Sequence, residues 1–177
     1  MSVTDRAPNS TLRTMCSRGS LLTFGKTKVT IPTEADWRSE MWCLDIPNAY
    51  KNFFGKSLDD AFALFVENAL RYQEDIAFMP LPCFRFYVHA YMSYLLSASS
   101  AHDSDGAGCF FGLVECRLAD IQSSDSHLSQ RVEEVLLRLR DHQEFYDAPE
   151  TSYGSFRSKA QLGLKMLRPA PPRHEEA

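Results

Sequence analysis

The chain has 177 residues, of which 44% are hydrophobic, and its formal net charge is −4. A chain of this length and composition can form a single domain whose core needs neither a metal ion nor disulfide bonds. A negative net charge also lacks the broad basic surface that binding to a phosphate backbone requires, so we expect no nucleic-acid partner.

The cysteines and the hydropathy pattern exclude several further classes. None of the five cysteines lies in a Cys-x-x-Cys pair, whereas zinc sites usually show closely spaced ligands. The N-terminus lacks a charged region followed by an apolar run, and no apolar stretch reaches the ~18 residues that span a bilayer. We therefore expect reduced thiols, no metal, no cofactor, no membrane partner and a cytoplasmic location.

Composition divides the chain into a central domain and two tails. Residues 1–20 are polar, and residues 168–177 are rich in proline and charge, so both are predicted to be disordered. The segment 21–167 is predicted to form a single mainly α-helical domain, a bundle of four or five helices with a possible short β-hairpin at its N-terminus.

The hairpin is predicted at LLTFGKTKVTI, residues 21–31, where two β-type runs flank Gly25. A glycine there can take the positive φ angle that a type II′ turn requires. A short helix is predicted to follow, with Thr33 as its N-cap and Pro47 as its end.

The triplet Gly-Lys-Ser at 55–57 has the composition of the end of a phosphate-binding loop. That loop needs a second glycine five residues before Gly55, and the residue there is Tyr50. A helix start is the better interpretation, because Ser57 can act as N-cap and Asp60 can complete a capping box. The apolar spacing that follows predicts a helix from about Ser57 to Glu74.

Three strong helical patterns and one weaker pattern follow along the chain. They cover about Pro82 to Ser97, Gly108 to Ile121, His127 to Tyr146 and, less clearly, Ser155 to Leu167. The first is apolar on almost every face, so we expect it to be the central buried helix.

One polar line runs along that central helix, formed by Arg85, His89, Ser93 and Ser97 at intervals of four residues. The line either faces solvent or lines a polar cleft. In a cleft Arg85 needs a partner, because an unpaired buried charge costs several kcal/mol, and Glu74 and Glu115 are the first candidates.

An acidic segment lies at residues 101–127, where five acidic residues accompany Arg117 alone. Asp103, Asp105, Asp120 and Asp125 are predicted to contribute to a surface that attracts a basic protein. Ordinary surface solvation is the alternative, because charge alone does not identify an interface.

Cys109 lies near a predicted helix start, where a thiol pKa can fall enough to give a nucleophile, with His102 as a possible base. Asp103 and Asp105 oppose thiolate formation, so we interpret Cys109 as a small core residue.

Two classes of function remain open. The first is a non-catalytic interaction protein, an adaptor, inhibitor or immunity-type protein that binds a basic partner. The second is a small enzyme or ligand-binding protein with a pocket between helices around Arg85 and His89. The lack of a specific catalytic motif favours the first class and leaves enzymatic activity an open question.

Overall fold

The computed structural model describes residues 30–38 and 45–168. Within these residues the chain forms eight α-helices, two short 3-10 helices and no β-strand, which confirms the mainly α-helical class. The helices are more numerous than the four or five predicted, because three of the eight are shorter than nine residues. The predicted hairpin and both predicted tails lie almost wholly outside the described residues.

The central α-helix of the fold packs against a neighbouring helix on each of two sides. The eight helices are α1 (Ile46–Phe53), α2 (Leu58–Phe78), α3 (Leu81–Leu96), α4 (Ser104–Cys116), α5 (Leu118–Gln122), α6 (Ser126–Asp141), α7 (Glu150–Tyr153) and α8 (Phe156–Leu167). Helix α3 packs between α2 and α6, and α8 packs against α6 and α4. The prediction of a central buried helix therefore corresponds to α3.

Aromatic side chains make up much of the core between α1, α2 and α3. The ring of Phe65 stacks on Tyr91 with centroids 4.8 Å apart, and the ring of Phe53 meets Tyr87 edge-on at 5.1 Å. The hydroxyl of Tyr87 donates to the carbonyl of Phe53 at 2.6 Å, and that of Tyr91 donates to the carbonyl of Gly106. These buried hydroxyls thus satisfy backbone acceptors while their rings fill the core.

The capping interpretation of the Gly-Lys-Ser triplet is confirmed. The amide of Asp60 donates to Ser57 Oγ at 3.1 Å, and the amide of Ser57 donates to Asp60 Oδ2 at 3.1 Å. Gly55 takes a φ angle of 74° at the turn before them. The triplet therefore turns the chain and starts α2.

Ser57→Ala should lower the free energy of unfolding by about 1 kcal/mol, because the amide of Asp60 in the first turn of α2 loses its side-chain acceptor. Urea denaturation measures the change. Ser158→Ala, at an exposed position inside α8, is the control and should change stability by less than about 0.5 kcal/mol. Equal effects of the two substitutions would contradict the role of the cap.

Helix α2 contains a break that the sequence pattern did not predict. Asn68 has φ −164° and ψ 89°, and its side-chain oxygen accepts from the amide of Arg71 at 3.0 Å. Asn68 therefore caps a second helical segment inside α2, as asparagine does at helix starts. Val66 and Leu70 lie on either side of the break, and each is 49% exposed.

The predicted helix from Gly108 to Ile121 starts earlier and is divided in two. Asp103 caps α4, so the helix begins at Ser104, and the non-helical backbone of Arg117 separates α4 from α5. The guanidinium of Arg117 donates to the carbonyls of Ala77 and Met79 at the end of α2. This tie to a distant part of the chain favours the break.

Three other helix ends differ from the prediction. Pro47 lies in the first turn of α1, so it begins a helix instead of ending one. Thr33 belongs to a turn, in which its amide donates to Asp36 Oδ2 at 2.7 Å, and residues 39–44 lie outside the described part. The helix predicted to reach Tyr146 ends at Asp141 and is followed by the 3-10 helix Gln143–Tyr146.

Candidate functional site

Two of the four predicted acidic residues lie at the start of α4. Asp103 accepts from the amide of Gly106 at 2.9 Å and from the hydroxyl of Tyr94 at 2.7 Å. Asp105 is exposed and accepts from the hydroxyl of Tyr153 at 2.7 Å. Both carboxylates therefore have a structural partner, and Asp105 also faces solvent.

The other two acidic residues lie beyond the opposite end of α4, which is ~20 Å long. Asp120 Oδ2 lies 2.7 Å from Arg117 Nε in an ion pair, and Asp125 caps α6 by accepting from the amide of Leu128 at 3.0 Å. The acidic segment is continuous in sequence, but the fold divides it between two ends of one helix.

Arg85 and His89 lie one turn apart on α3 and are both partly buried. They line a cavity of about 290 Å³ together with Leu128 and with Ser123, Ser124 and Asp125 of the loop between α5 and α6. At these two residues the polar line therefore borders a concavity, with a carboxylate at its edge. Its volume lies near the lower end of the range for small-molecule pockets.

The guanidinium of Arg85 is held by the loop that it faces. Its Nε donates to Ser124 Oγ at 2.8 Å, and its Nη2 donates to the carbonyl of Ser123 at 3.2 Å. These serines take the place of Glu74 or Glu115, the acids considered from the sequence. Arg85 thus ties the α5–α6 loop to α3.

His89 is neutral at pH 7 in this cavity. Burial, together with the neighbouring His127 and Arg131, lowers the pKa of His89 to about 4, and Asp125 opposes the shift. The rings of His89 and His127 have centroids 5.8 Å apart.

Acid should destabilise the protein through His89. In the unfolded chain its pKa returns to 6.5, so between about pH 6.5 and 4 the unfolded state binds a proton that the folded state does not. The free energy of unfolding should therefore fall by at most roughly 3 kcal/mol as the pH drops through this window. Urea denaturation at several pH values measures the slope.

The control for this titration is a second histidine. His89→Gln should flatten the slope, and His142→Gln, at an exposed position, should leave it unchanged. An identical slope for wild type and His89→Gln would contradict the assignment.

A larger concavity, which we call the α4 groove, lies along one face of α4. Its floor is formed by residues of α4, one wall by α2 and the other wall by α7 and α8, and its volume is about 430 Å³. The lining residues are Gln73, Ala77, Asp105, Gly108, Cys109, Gly112, Leu113, Cys116, Ser152, Tyr153 and Lys159. From Asp105 to Cys116 the floor extends ~16 Å, or three helical turns.

The floor of the α4 groove is low because its residues are small. A Cβ atom added at Gly106 would lie 2.9 Å from the Cβ of Ala69, and one added at Gly108 would lie 3.3 Å from Tyr153. Packing therefore accounts for these two glycines. A Cβ at Gly112 would meet no atom within 4 Å, and the residue is exposed. The described fold gives no packing reason for Gly112.

The groove is electrostatically negative at its Cys109 end. Burial raises the pKa of the Cys109 thiol, and the charges of Asp105, Asp103 and Glu74 raise it further. Burial also raises the pKa of Cys116, where Arg117 acts in the opposite direction. Both thiols are therefore neutral, and carboxylates dominate the field around Cys109.

The thiol-nucleophile hypothesis gains nothing from this geometry, because a raised pKa disfavours the thiolate. His102, the possible base, instead pairs with Asp147, which follows the 3-10 helix Gln143–Tyr146. His102 Nδ1 lies 2.6 Å from Asp147 Oδ2, and both side chains are exposed. The sequence pattern indicated that Cys109 is a small core residue. In the structure Cys109 is only partly buried and lies in the floor of the α4 groove.

One face of α2 forms the groove wall and continues past it to Leu70. Leu70, Gln73 and Ala77 follow one another at helical spacing in the second segment of α2, so they share one face. Leu70 is 49% exposed, which adds apolar surface beyond the groove itself. The sequence signal for this site was a line of small residues on one face of α4, at positions 108, 109, 112 and 116, and our sequence reasoning missed it.

The described part of the chain contains no cluster of three or more His, Cys, Asp or Glu residues that could hold a metal ion. Over the same residues, every helix is too short or too polar to cross a membrane.

We compared the chain with protein-family models, with curated proteins and with solved structures, and none of the three comparisons gave a match.

Proposed function

We propose that the protein is a non-catalytic interaction protein, an adaptor, inhibitor or immunity-type protein, and that it binds a basic protein partner in the α4 groove. The observation that carries this proposal is Gly112, an exposed glycine in the interior of a 13-residue helix. Glycine destabilises a helix interior by about 1 kcal/mol relative to alanine. No contact within the described residues requires a glycine at position 112. We therefore attribute this glycine to the close approach of another molecule.

The charges around the groove favour a basic partner. Asp105 lines one end and Glu74 lies near it, and both are exposed. Lys159 is the one basic residue among the described lining residues, and it is placed over the ring of Phe111. The acidic residues would attract a basic segment of the partner to the Cys109 end of the groove. The same attraction would determine how the partner is positioned along the groove.

Gly112→Ala should raise the free energy of unfolding by about 0.5–1 kcal/mol, because alanine is the better helix former and its Cβ meets no neighbour. Thermal or urea denaturation measures the gain. Gly108→Ala is the matched control, since its Cβ would contact Tyr153, and it should gain less. A loss of stability in Gly112→Ala would show that the site is constrained by the fold itself.

Affinity purification from the native host tests the proposed function. Wild type should recover a stoichiometric basic protein, and Gly112→Gln should lose it because the longer side chain fills the groove floor. Ser126→Gln, at an exposed position on α6, adds bulk elsewhere and should keep the partner. Recovery of the same partner with Gly112→Gln would show that the partner does not bind in the α4 groove.

A second candidate function is the binding of a small polar ligand by Arg85 and His89. The observation in its favour is that both side chains face one cavity together with Asp125. A compound that raises the melting temperature of wild type, but not that of Arg85→Met, would support it. A compound screen in which every hit acts equally on both proteins would not.

A further inference from the structure

We infer that the segment held in the α4 groove is an amphipathic helix with lysine or arginine at one end, lying along α4. This inference rests on the proposed function and adds the form and chemistry of the partner segment.

The shape of the groove favours a helix. Its floor is a single helix, its walls lie on both sides, and its length of ~16 Å matches about 11 residues of a partner helix. An amphipathic helix bound in such a groove contributes anchors at spacings of three, four and seven residues. The described residues contain no β-strand, so they offer no sheet edge on which an extended peptide could pair its backbone.

The floor defines where the main anchor lies. Tyr153 occupies part of the space above Gly108, whereas the space above Gly112 is open. The neutral thiols of Cys109 and Cys116 flank that space, and Ala77 forms the adjacent wall. An apolar side chain of the partner fits over Gly112, because the surrounding groups are small and mostly uncharged.

The negative charge at one end of the groove sets the orientation of the partner helix. Asp105, Asp103 and Glu74 surround the Cys109 end, so the basic residues of the partner helix lie there.

A second copy of this chain fits the groove less well. A symmetric antiparallel pairing of two α4 helices brings the start of one helix to the end of the other. Asp105 of each copy would then lie near the end of its mate's α4, where Glu115 is also an exposed acid. Like charges placed opposite each other oppose association, so a basic partner is favoured over a homodimer.

Peptide selection tests this inference. Two phage-displayed libraries of about 15 residues are screened against the full chain, one built on an alanine-rich helix and one on a proline-containing extended frame, with Gly112→Gln as the counter-selection target. We expect enrichment from the helical library, with apolar residues at helical spacing and lysine or arginine at one end.

The selected peptide is then measured by calorimetry on matched variants. Gly112→Gln and Glu74→Lys should each weaken binding by about tenfold, and Glu133→Lys, the same charge change on an exposed site of α6, should have no effect. The inference is overturned by enrichment of extended or acidic peptides, by no enrichment, or by binding that ignores Gly112→Gln.

The outcomes also separate this inference from the proposed function. If Gly112→Gln loses the native partner but the selection yields only extended peptides, the function stands and the helical form is wrong. If Gly112→Gln keeps the native partner, both fail.

Discussion

Phe65→Ala should lower the free energy of unfolding by about 3–5 kcal/mol, the range found when a fully buried phenylalanine is removed from a core. The ring is 0% exposed and stacks on Tyr91 at 4.8 Å. It also contacts the rings of Phe53 and Tyr94, with centroids just over 6 Å away. The substitution therefore removes contacts with α1 and α3 together, and the aromatic neighbours on both sides limit how far the cavity can collapse.

Phe54→Ala is the control for Phe65→Ala. Phe54 is 42% exposed and stacks on Tyr50 alone among the described rings. Phe54→Ala should lower the free energy of unfolding by less than half as much as Phe65→Ala. The reason is that much of the Phe54 ring is already exposed to water in the folded protein. Urea denaturation of both variants measures the difference, provided that the slope of unfolding free energy against urea concentration is the same for each. Equal costs would contradict the assigned position of Phe65 in the core.

Arg117→Ala should cost roughly 3 kcal/mol, because a largely buried guanidinium that donates to two backbone carbonyls and pairs with Asp120 is removed. The side chain is 12% exposed, its Nη1 donates to the carbonyls of Ala77 and Met79 at 3.1 and 2.9 Å, and its Nε lies 2.7 Å from Asp120. Its guanidinium also lies 4.2 Å from the ring centre of Phe84. Truncation leaves these acceptors without their donor and uncovers an aromatic face.

Two variants separate the hydrogen bonds of Arg117 from its charge. Arg117→Lys keeps the charge but lacks the planar fork, so it should recover only part of the loss. Arg140→Ala removes an arginine that pairs with its neighbour Asp141 at the surface, and it should cost much less than Arg117→Ala. A full recovery by lysine would show that the charge alone matters at position 117.

The sequence predicts the features that depend on neighbouring residues. The capping box of Ser57 and Asp60 involves residues three apart, so the start of α2 could be read directly. The continuous apolar run after Pro82 likewise identifies α3 as the central helix.

The features that the sequence did not predict depend on distant contacts or on the absence of a contact. Arg117 interrupts the helix because its acceptors lie 38 and 40 residues away. Arg85 bonds to a serine loop 38 and 39 residues away instead of to an acid. The open space above Gly112 is set by how α2, α7 and α8 pack around α4, and no local pattern specifies it.

The most direct test of the central claim combines binding and stability in the same samples. The affinity of the purified native partner is measured by calorimetry for wild type and Gly112→Gln, together with the free energy of unfolding of each protein. Our account predicts that Gly112→Gln weakens binding by at least about tenfold while its stability is equal or higher, because the added side chain fills the groove and favours the helix. Unchanged affinity, or an affinity loss that accompanies an equal loss of stability, would contradict it.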